Sequence, residues 1–262
     1  MEIKEYVAKR KLELKEAISK LDKVPTLCII SVGENPASQA YIRGKMKDSA
    51  EVGFNVVHIA LPEEVTQDEL DKIIFEKNAD PDINGILVQL PISKHLSPDR
   101  VNEILDPKKD VDGFVPNSHY ICCTPKGIMD YLLNEGFVFE GKKAVVMGRS
   151  HIVGAPMAQL LRDKGCSVNV IHSKTTEEDR QKWLKDAELI VVAVGKRNIL
   201  NSSYELNPNA YVVDVGINRD EFGKLHGDCE PNLPVKLQTP VPGGVGLLTR
   251  LALLDNLLEA AK

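Results

Sequence analysis

Apolar and polar positions follow two rhythms along this chain, and their succession predicts its architecture. Residues 2–21 set apolar side chains at helical spacing among many charges, the pattern of an opening amphipathic helix. Thr26–Val32 is a short, β-branched apolar run and reads as a buried strand. Asn35-Pro36 then starts a helix, with Asn as cap and Pro in the first turn; it runs to about Glu51 and Gly53 ends it. A second strand is expected over 55–60, a helix from the capping box Thr66-x-x-Glu69, and a third strand over 85–90. The order β-α-β-α-β predicts a parallel sheet covered by helices.

The stretch 107–125 is rich in turn formers and has no clear period, so it reads as a junction. A helix opening at Thr124-Pro125 and running to Leu133 leads into a second alternating unit. Its expected parts are a strand at Lys143–Met147, a helix over 155–163, a strand at Ser167–Ile171, a capping box Thr175-x-x-Glu178, and strands over 189–194 and 211–215. A Pro/Gly loop then gives way to a Leu-rich amphipathic helix over 247–261. The chain shows no internal repeat and no low-complexity segment.

Composition narrows the function classes. A length of 262 residues at 43% hydrophobic content supports one large domain or two small ones. The net charge of −5, with no long basic block, argues against nucleic acid as a partner, and aromatics at 5% argue against a base-stacking platform. No apolar run has the length to cross a bilayer, and the charged opening helix is unlike a signal peptide. The five cysteines are Cys28, Cys122, Cys123, Cys166 and Cys229. An odd count without Cys-x-x-Cys or a His cluster points to reduced thiols, no metal site and the cytoplasm.

The chemistry-bearing residues fall in both halves. After the strand at Lys143–Met147 comes Gly148-Arg149-Ser150-His151-Ile152-Val153-Gly154 and then a helix. A glycine-rich strand-to-helix turn lets backbone N–H groups approach a pyrophosphate, although the spacing also suits an ordinary βα turn. The next strand ends His172-Ser173-Lys174-Thr175, with a hydroxyl and a cation where an NAD site carries an acid. Together with Arg149 this favours the 2′-phosphate of NADP over NAD. Gly195 and Gly216 also stand at strand ends, as ligand-facing residues or as turn glycines. In the first half, Tyr41 and Lys45 share one helix face: a stacking ring beside a base, or a packed ring beside a surface amine. The Tyr-x-x-x-Lys spacing is also that of short-chain dehydrogenases, but there the pair follows the dinucleotide turn, and here it precedes it. Gln89 is polar inside an apolar run, so it either bonds a neighbouring backbone group or lines a cleft at the strand end. Asp110 and Asp112 follow, in a turn or as grips for an amino-pterin ring. Pro240-Val241-Pro242-Gly243-Gly244-Val245-Gly246 is a rigid linker or a loop allowing close ligand approach.

Taken in order, these segments resemble the bifunctional methylenetetrahydrofolate dehydrogenase/cyclohydrolase family over nearly the whole chain. The matching stretches are Val32-Gly33…Asn35-Pro36-Ala37-Ser38…Tyr41…Lys45-Met46-Lys47, Gly85 to Pro91, Lys109-Asp110-Val111-Asp112-Gly113 and Cys123-Thr124-Pro125-Lys126-Gly127. They continue with the Gly148 turn, His172 to Thr175, Val213-Asp214-Val215-Gly216 and Pro240 to Gly246. The resemblance implies an α/β fold of two domains. One is a folate-binding catalytic domain (1–120 with 243–262), the other a Rossmann-like NAD(P)-binding domain (121–242), and the last helix returns to the first. It implies oxidation of 5,10-methylenetetrahydrofolate with NADP and hydrolysis of the product to 10-formyltetrahydrofolate, by a homodimer. Lys45 matches the catalytic lysine, Tyr41 the ring that stacks on folate, Gln89 the lysine's partner and Asp112 the pterin anchor. Pro242 and Gly243 match a loop beside the substrate. Gly148, Arg149, Ser150, Gly154, His172, Ser173, Lys174, Gly195, Gly216 and Ile217 make up the expected dinucleotide set. The chain departs from the family pattern at Cys122 and Arg197, each in place of proline, and at Leu247-Leu248, in place of Pro-Met.

Overall fold

The first parallel sheet is built around a strand with no solvent face. In the computed structural model, which describes residues 1–262 apart from the side chain of Ala37, strand β1 (Thr26–Val32) is buried from Leu27 onward. It lies between β2 (Asn55–Leu61) and β3 (Gly85–Val88) in the order β2-β1-β3, with Ile29 opposite both His58 and Leu87. Ser31, the one hydroxyl in the buried run, meets the His58 ring at 2.9 Å, so no polar group is stranded there. Helices α1 (Ile3–Ile18), α2 (Pro36–Val52), α3 (Gln67–Ala79) and α4 (Pro98–Ile104) accompany this sheet.

Local chemistry sets several of these boundaries. The Asn35 carboxamide accepts the Ser38 N–H at the start of α2, and Gly53 closes it with φ +104°. Thr66 and Glu69 make both halves of the expected capping box at α3. Two expectations shift. Strand β3 ends at Val88 rather than Leu90, because Pro91 has no N–H to extend the ladder, though Gln89 still donates its N–H to Ile30. Helix α4, which the apolar pattern did not announce, is capped by Ser97, whose hydroxyl accepts the Arg100 N–H, with Pro98 in its first turn.

The remaining elements are α5 (Cys123–Asn134), β4 (Lys143–Met147), α6 (Gly154–Asp163), β5 (Ser167–Ile171), α7 (Glu177–Asp186), β6 (Leu189–Val192) and β7 (Tyr211–Asp214). A small hairpin of β8 (Asn218–Arg219) and β9 (Leu225–His226), strand β10 (Leu237–Gln238) and helix α8 (Val245–Glu259) complete the chain. The second sheet is parallel throughout, in the order β10-β7-β6-β4-β5. Its inner strands β4, β6 and β7 are buried on both faces: Ala144, Val146 and Val191 join Ile128, Leu132 and Met157, while Val145, Met147 and Ile190 join Leu184 and Leu200. At α7 the cap is Thr176, which accepts the Asp179 N–H, not Thr175. Thr175 uses its hydroxyl to accept the His172 N–H and so closes the turn after β5.

The chain forms two compact units, Val7–Cys123 with Arg250–Lys262, and Met1–Tyr6 with Thr124–Thr249. The last helix returns to the first unit: Arg250 bonds Asp48 of α2, and Arg10 of α1 bonds Asp255.

In the second sheet the strand order reverses between β4 and β6, the place where open parallel sheets bind ligands beyond their carboxyl ends. The turns leaving these two strands touch. Gly148 has φ +109°, and a Cβ there would come within 2.2 Å of the Ala193 carbonyl oxygen. Gly148→Ala is therefore expected to lower the thermal unfolding midpoint, through a loss of about 1–3 kcal/mol, measurable by calorimetry. All five cysteines are free thiols. Burial pushes Cys28 and Cys166 up to about 11 and Cys122 to about 12, and it raises Cys123 and Cys229 as well. A chromogenic disulfide reagent at pH 8 is expected to titrate these thiols slowly in the native protein and all five at once in denaturant.

Candidate functional site

Helix α2 carries Tyr41 and, one turn later, Lys45. Lys45 is 5% exposed, so its amine is enclosed rather than solvated like most lysines. Its partner is Asp112, 8% exposed, whose Oδ2 lies 3.4 Å from the amine. A lysine amine and a carboxylate withdrawn from water together form a pair that would be costly to leave half made. Tyr41 is half-buried on the same helix.

Asp110 and Asp112 part company in the structure. Asp110 serves its own turn, with its carboxylate accepting the Gly113 and Val115 N–H groups, and burial raises its carboxyl. Asp112 alone turns to Lys45. Behind the pair, Cys123 donates its N–H to the Asp112 carbonyl and its thiol to the Val111 carbonyl. Cys122, where the family carries proline, donates its thiol to the Gly113 carbonyl at 2.6 Å and so still ties this loop together.

Gln89 does not bond Lys45. Its amide nitrogen donates to the Leu90 carbonyl, and its oxygen, though buried, has no partner. A buried amide oxygen left open is a group able to receive a ligand donor. Pro242 and Gly243 belong to the other unit, beyond β10, where Gly243 has φ +95°.

The expected dinucleotide residues lie at the carboxyl ends of β4, β5, β6 and β7. Gly154 opens α6 so close to the first turn that a Cβ would sit 2.5 Å from the Gly148 oxygen. The Ser150 hydroxyl accepts the Val153 and Gly154 N–H groups. Arg149, Ser150, Ser173 and Lys174 are exposed, and among the described residues neither Arg149 nor Lys174 forms an ion pair. The His172 ring accepts the Lys174 N–H through Nδ1 and so shapes the turn. No acid stands where a ribose hydroxyl would need one, and two exposed cations stand beside the Ser150 and Ser173 hydroxyls. This donor set fits a phosphorylated ribose. Ile217 is exposed, while Arg197 lies exposed in the turn after β6. Leu248 is fully buried, and its carbonyl lies 2.4 Å from where a Gly127 Cβ would be.

Two acids to which the sequence assigns no role organise these strand ends. Asp228, fully buried, accepts the Val194 and Gly195 N–H groups, each at 2.7 Å, and the Asn218 amide. Asp214 accepts the Gly216, Asp228 and Cys229 N–H groups, and burial nonetheless raises its carboxyl. Gly216 is a glycine because the Asp228 carboxylate occupies its Cβ position, at 2.2 Å. The visible signal was an acid at the end of an apolar strand; its role needed the fold.

Two family models match the chain. Residues 1–112 match the tetrahydrofolate dehydrogenase/cyclohydrolase catalytic domain, and residues 122–262 match the NAD(P)-binding domain of the same family. A relative from Listeria innocua serovar 6a, the bifunctional protein FolD, is 43% identical over 100% of this chain and 94% of its own. The crystal structure of the bifunctional FolD enzyme from Campylobacter jejuni superposes with a TM-score of 0.95 at 40% identity, covering 99% of this chain and 97% of that one. That of Trypanosoma brucei FolD, complexed with NADP and an inhibitor, gives 0.93 at 29% identity, covering 100% and 96%. With both halves of the chain matched in order, it belongs to the tetrahydrofolate dehydrogenase/cyclohydrolase family.

Proposed function

We propose that this protein oxidises 5,10-methylenetetrahydrofolate to 5,10-methenyltetrahydrofolate with NADP and hydrolyses the product to 10-formyltetrahydrofolate, as a cytoplasmic homodimer. The observation that carries this reading is the enclosed Lys45–Asp112 pair in a chain of this family. Residues 1–120 with 243–262 take the folate, and 121–242 take the dinucleotide.

The unit with Lys45 supplies orientation and proton transfer. Asp112 receives the N–H groups of the pterin, Tyr41 stacks on the flat part of the substrate, and the open Gln89 oxygen accepts a further donor. Pro242 and Gly243 border the substrate. In the first step the bridging carbon loses a hydride, and the resulting cation is shared by the folate nitrogens N5 and N10. NADP, when bound, supplies the ring carbon that accepts this hydride. The tight turn made possible by Gly148 and Gly154 would receive its pyrophosphate, Arg149, Ser150, Ser173 and Lys174 would hold its 2′-phosphate, and His172, Gly195, Gly216 and Ile217 would shape the remaining contacts.

In the second step a water oxygen bonds to the methenyl carbon and releases a proton to the Lys45 amine. The remaining hydroxyl proton moves to N5 as the carbon–N5 bond breaks, which leaves the formyl group on N10. The proton taken up by Lys45 passes to solvent, which frees the amine for the next turnover.

Incubating the protein with methylenetetrahydrofolate and each dinucleotide tests the reading: methenyl absorbance is expected to rise with NADP and then decay. A protein that gives neither change does not carry this function. Lys45→Met is expected to abolish hydrolysis of added methenyltetrahydrofolate, and retained hydrolysis would remove the lysine from the mechanism. Arg149→Ala is expected to raise KM for NADP by roughly tenfold, the cost of losing a charge-assisted phosphate contact, with little change for NAD. Equal changes for the two would rule out recognition of the 2′-phosphate by Arg149.

A further inference from the structure

Helix α8 is almost wholly leucine and alanine where it is buried, yet it carries Asn256 at 1% exposure. The Asn256 amide nitrogen donates to the Val111 carbonyl at 2.9 Å and the Ile121 carbonyl at 3.0 Å, with the Cys123 sulfur at 3.7 Å. Its own oxygen is buried without a partner. An unsatisfied buried acceptor is costly, and leucine would fill the same space without that cost. What leucine could not do is hold two carbonyls of a loop at once.

Those two carbonyls bracket the reacting pair. Val111 precedes Asp112, and Ile121 lies at the far end of the loop, two residues before Cys123, whose N–H holds the Asp112 carbonyl. Beside Asn256, the side chains of Leu257 and Val111 close over Gly85, where a Cβ would come within 2.9 Å and 2.6 Å of them. Six residues earlier the same helix grips α2: Arg250 Nε donates to Asp48 at 2.5 Å, and the guanidinium lies where a Gly44 Cβ would meet it at 2.7 Å, next to Lys45 in the chain. Lys11 donates to the other Asp48 oxygen at 2.7 Å. One helix therefore holds the segment carrying Lys45 and the segment carrying Asp112.

We propose that Asn256 is a positioning residue for the chemistry at Lys45, holding the Val111 and Ile121 carbonyls so that the Asp112 carboxylate stays against the lysine amine. This rests on the function proposed above. Misplacing a reacting group by about an ångström costs on the order of a hundredfold in rate, so a loosened loop should be visible in turnover.

The test uses the full chain with Asn256→Ser, which shortens the side chain, and Asn256→Leu, which removes the donors while filling the space. Hydrolysis of added methenyltetrahydrofolate is followed together with KM for the folate, and NADP affinity is measured by calorimetric titration. The expected result is a fall of about tenfold or more in hydrolytic kcat/KM with a raised folate KM, while NADP affinity stays within about twofold. Loss of folded protein alone would lower the apparent hydrolytic kcat and leave the folate KM unchanged; that result overturns the proposal. So do folded variants that hydrolyse within about twofold of the parent. A parent that fails to turn over methenyltetrahydrofolate overturns the functional reading itself, and the inference with it.

Discussion

A lysine amine and an aspartate carboxylate withdrawn together from water are the constraint around which the first unit is organised. At 3.4 Å the two groups offset each other's desolvation, but only while both stay in place. The surrounding structure acts on the backbone that carries them rather than on the charges themselves. Helix α2 is capped at Asn35 and anchored at Asp48, and the Asp112 loop is stitched by Cys122, Cys123 and Asn256. A reactive amine needs a rigid frame around it, because burial without geometry would only make it inert.

The second unit solves a related problem with the opposite material. Its strand-end turns must take a large anion, so they carry glycines, of which Gly148, Gly154 and Gly216 have no room for a side chain, and cations that find no partner among the described residues. Such turns have little of their own to hold them. The buried carboxylates of Asp214 and Asp228 take that part by gathering backbone N–H groups from three separate segments. Negative charge set behind the turns thus fixes the shape of a surface that presents positive charge.

Much of this was legible from the chain. Strand β1 declares itself by an unbroken apolar run, α3 by its capping box, and the order of the β and α signals by their spacing, since these rest on neighbours within a few residues. Lys45 and Asp112 stand out in the sequence as two separate candidates and not as a pair, because 67 residues separate them. The lysine partner expected of Gln89 is Asp112, and Gln89 turns its amide nitrogen to the adjacent carbonyl instead. The cap expected at Thr175 falls one residue later, at Thr176, because the Thr175 hydroxyl closes a turn onto His172. Asn256 and Asp228 were silent, since an asparagine in a leucine helix and an acid after a short hairpin carry no pattern until the distant carbonyls and N–H groups arrive beside them.

The make-up of the first unit has a consequence for the order of events in the cell. That unit includes Arg250–Lys262, and two of its tethers, Arg250 to Asp48 and Asn256 to Val111, come from this final stretch. During synthesis the chain emerges with its N-terminal end first, so the sheet around β1 can collapse early while the loop bearing Asp112 waits unlatched. The entire intervening unit must leave the ribosome before the latch arrives. A nascent chain halted short of α8 would hold both members of the charged pair and lack the means to keep them together.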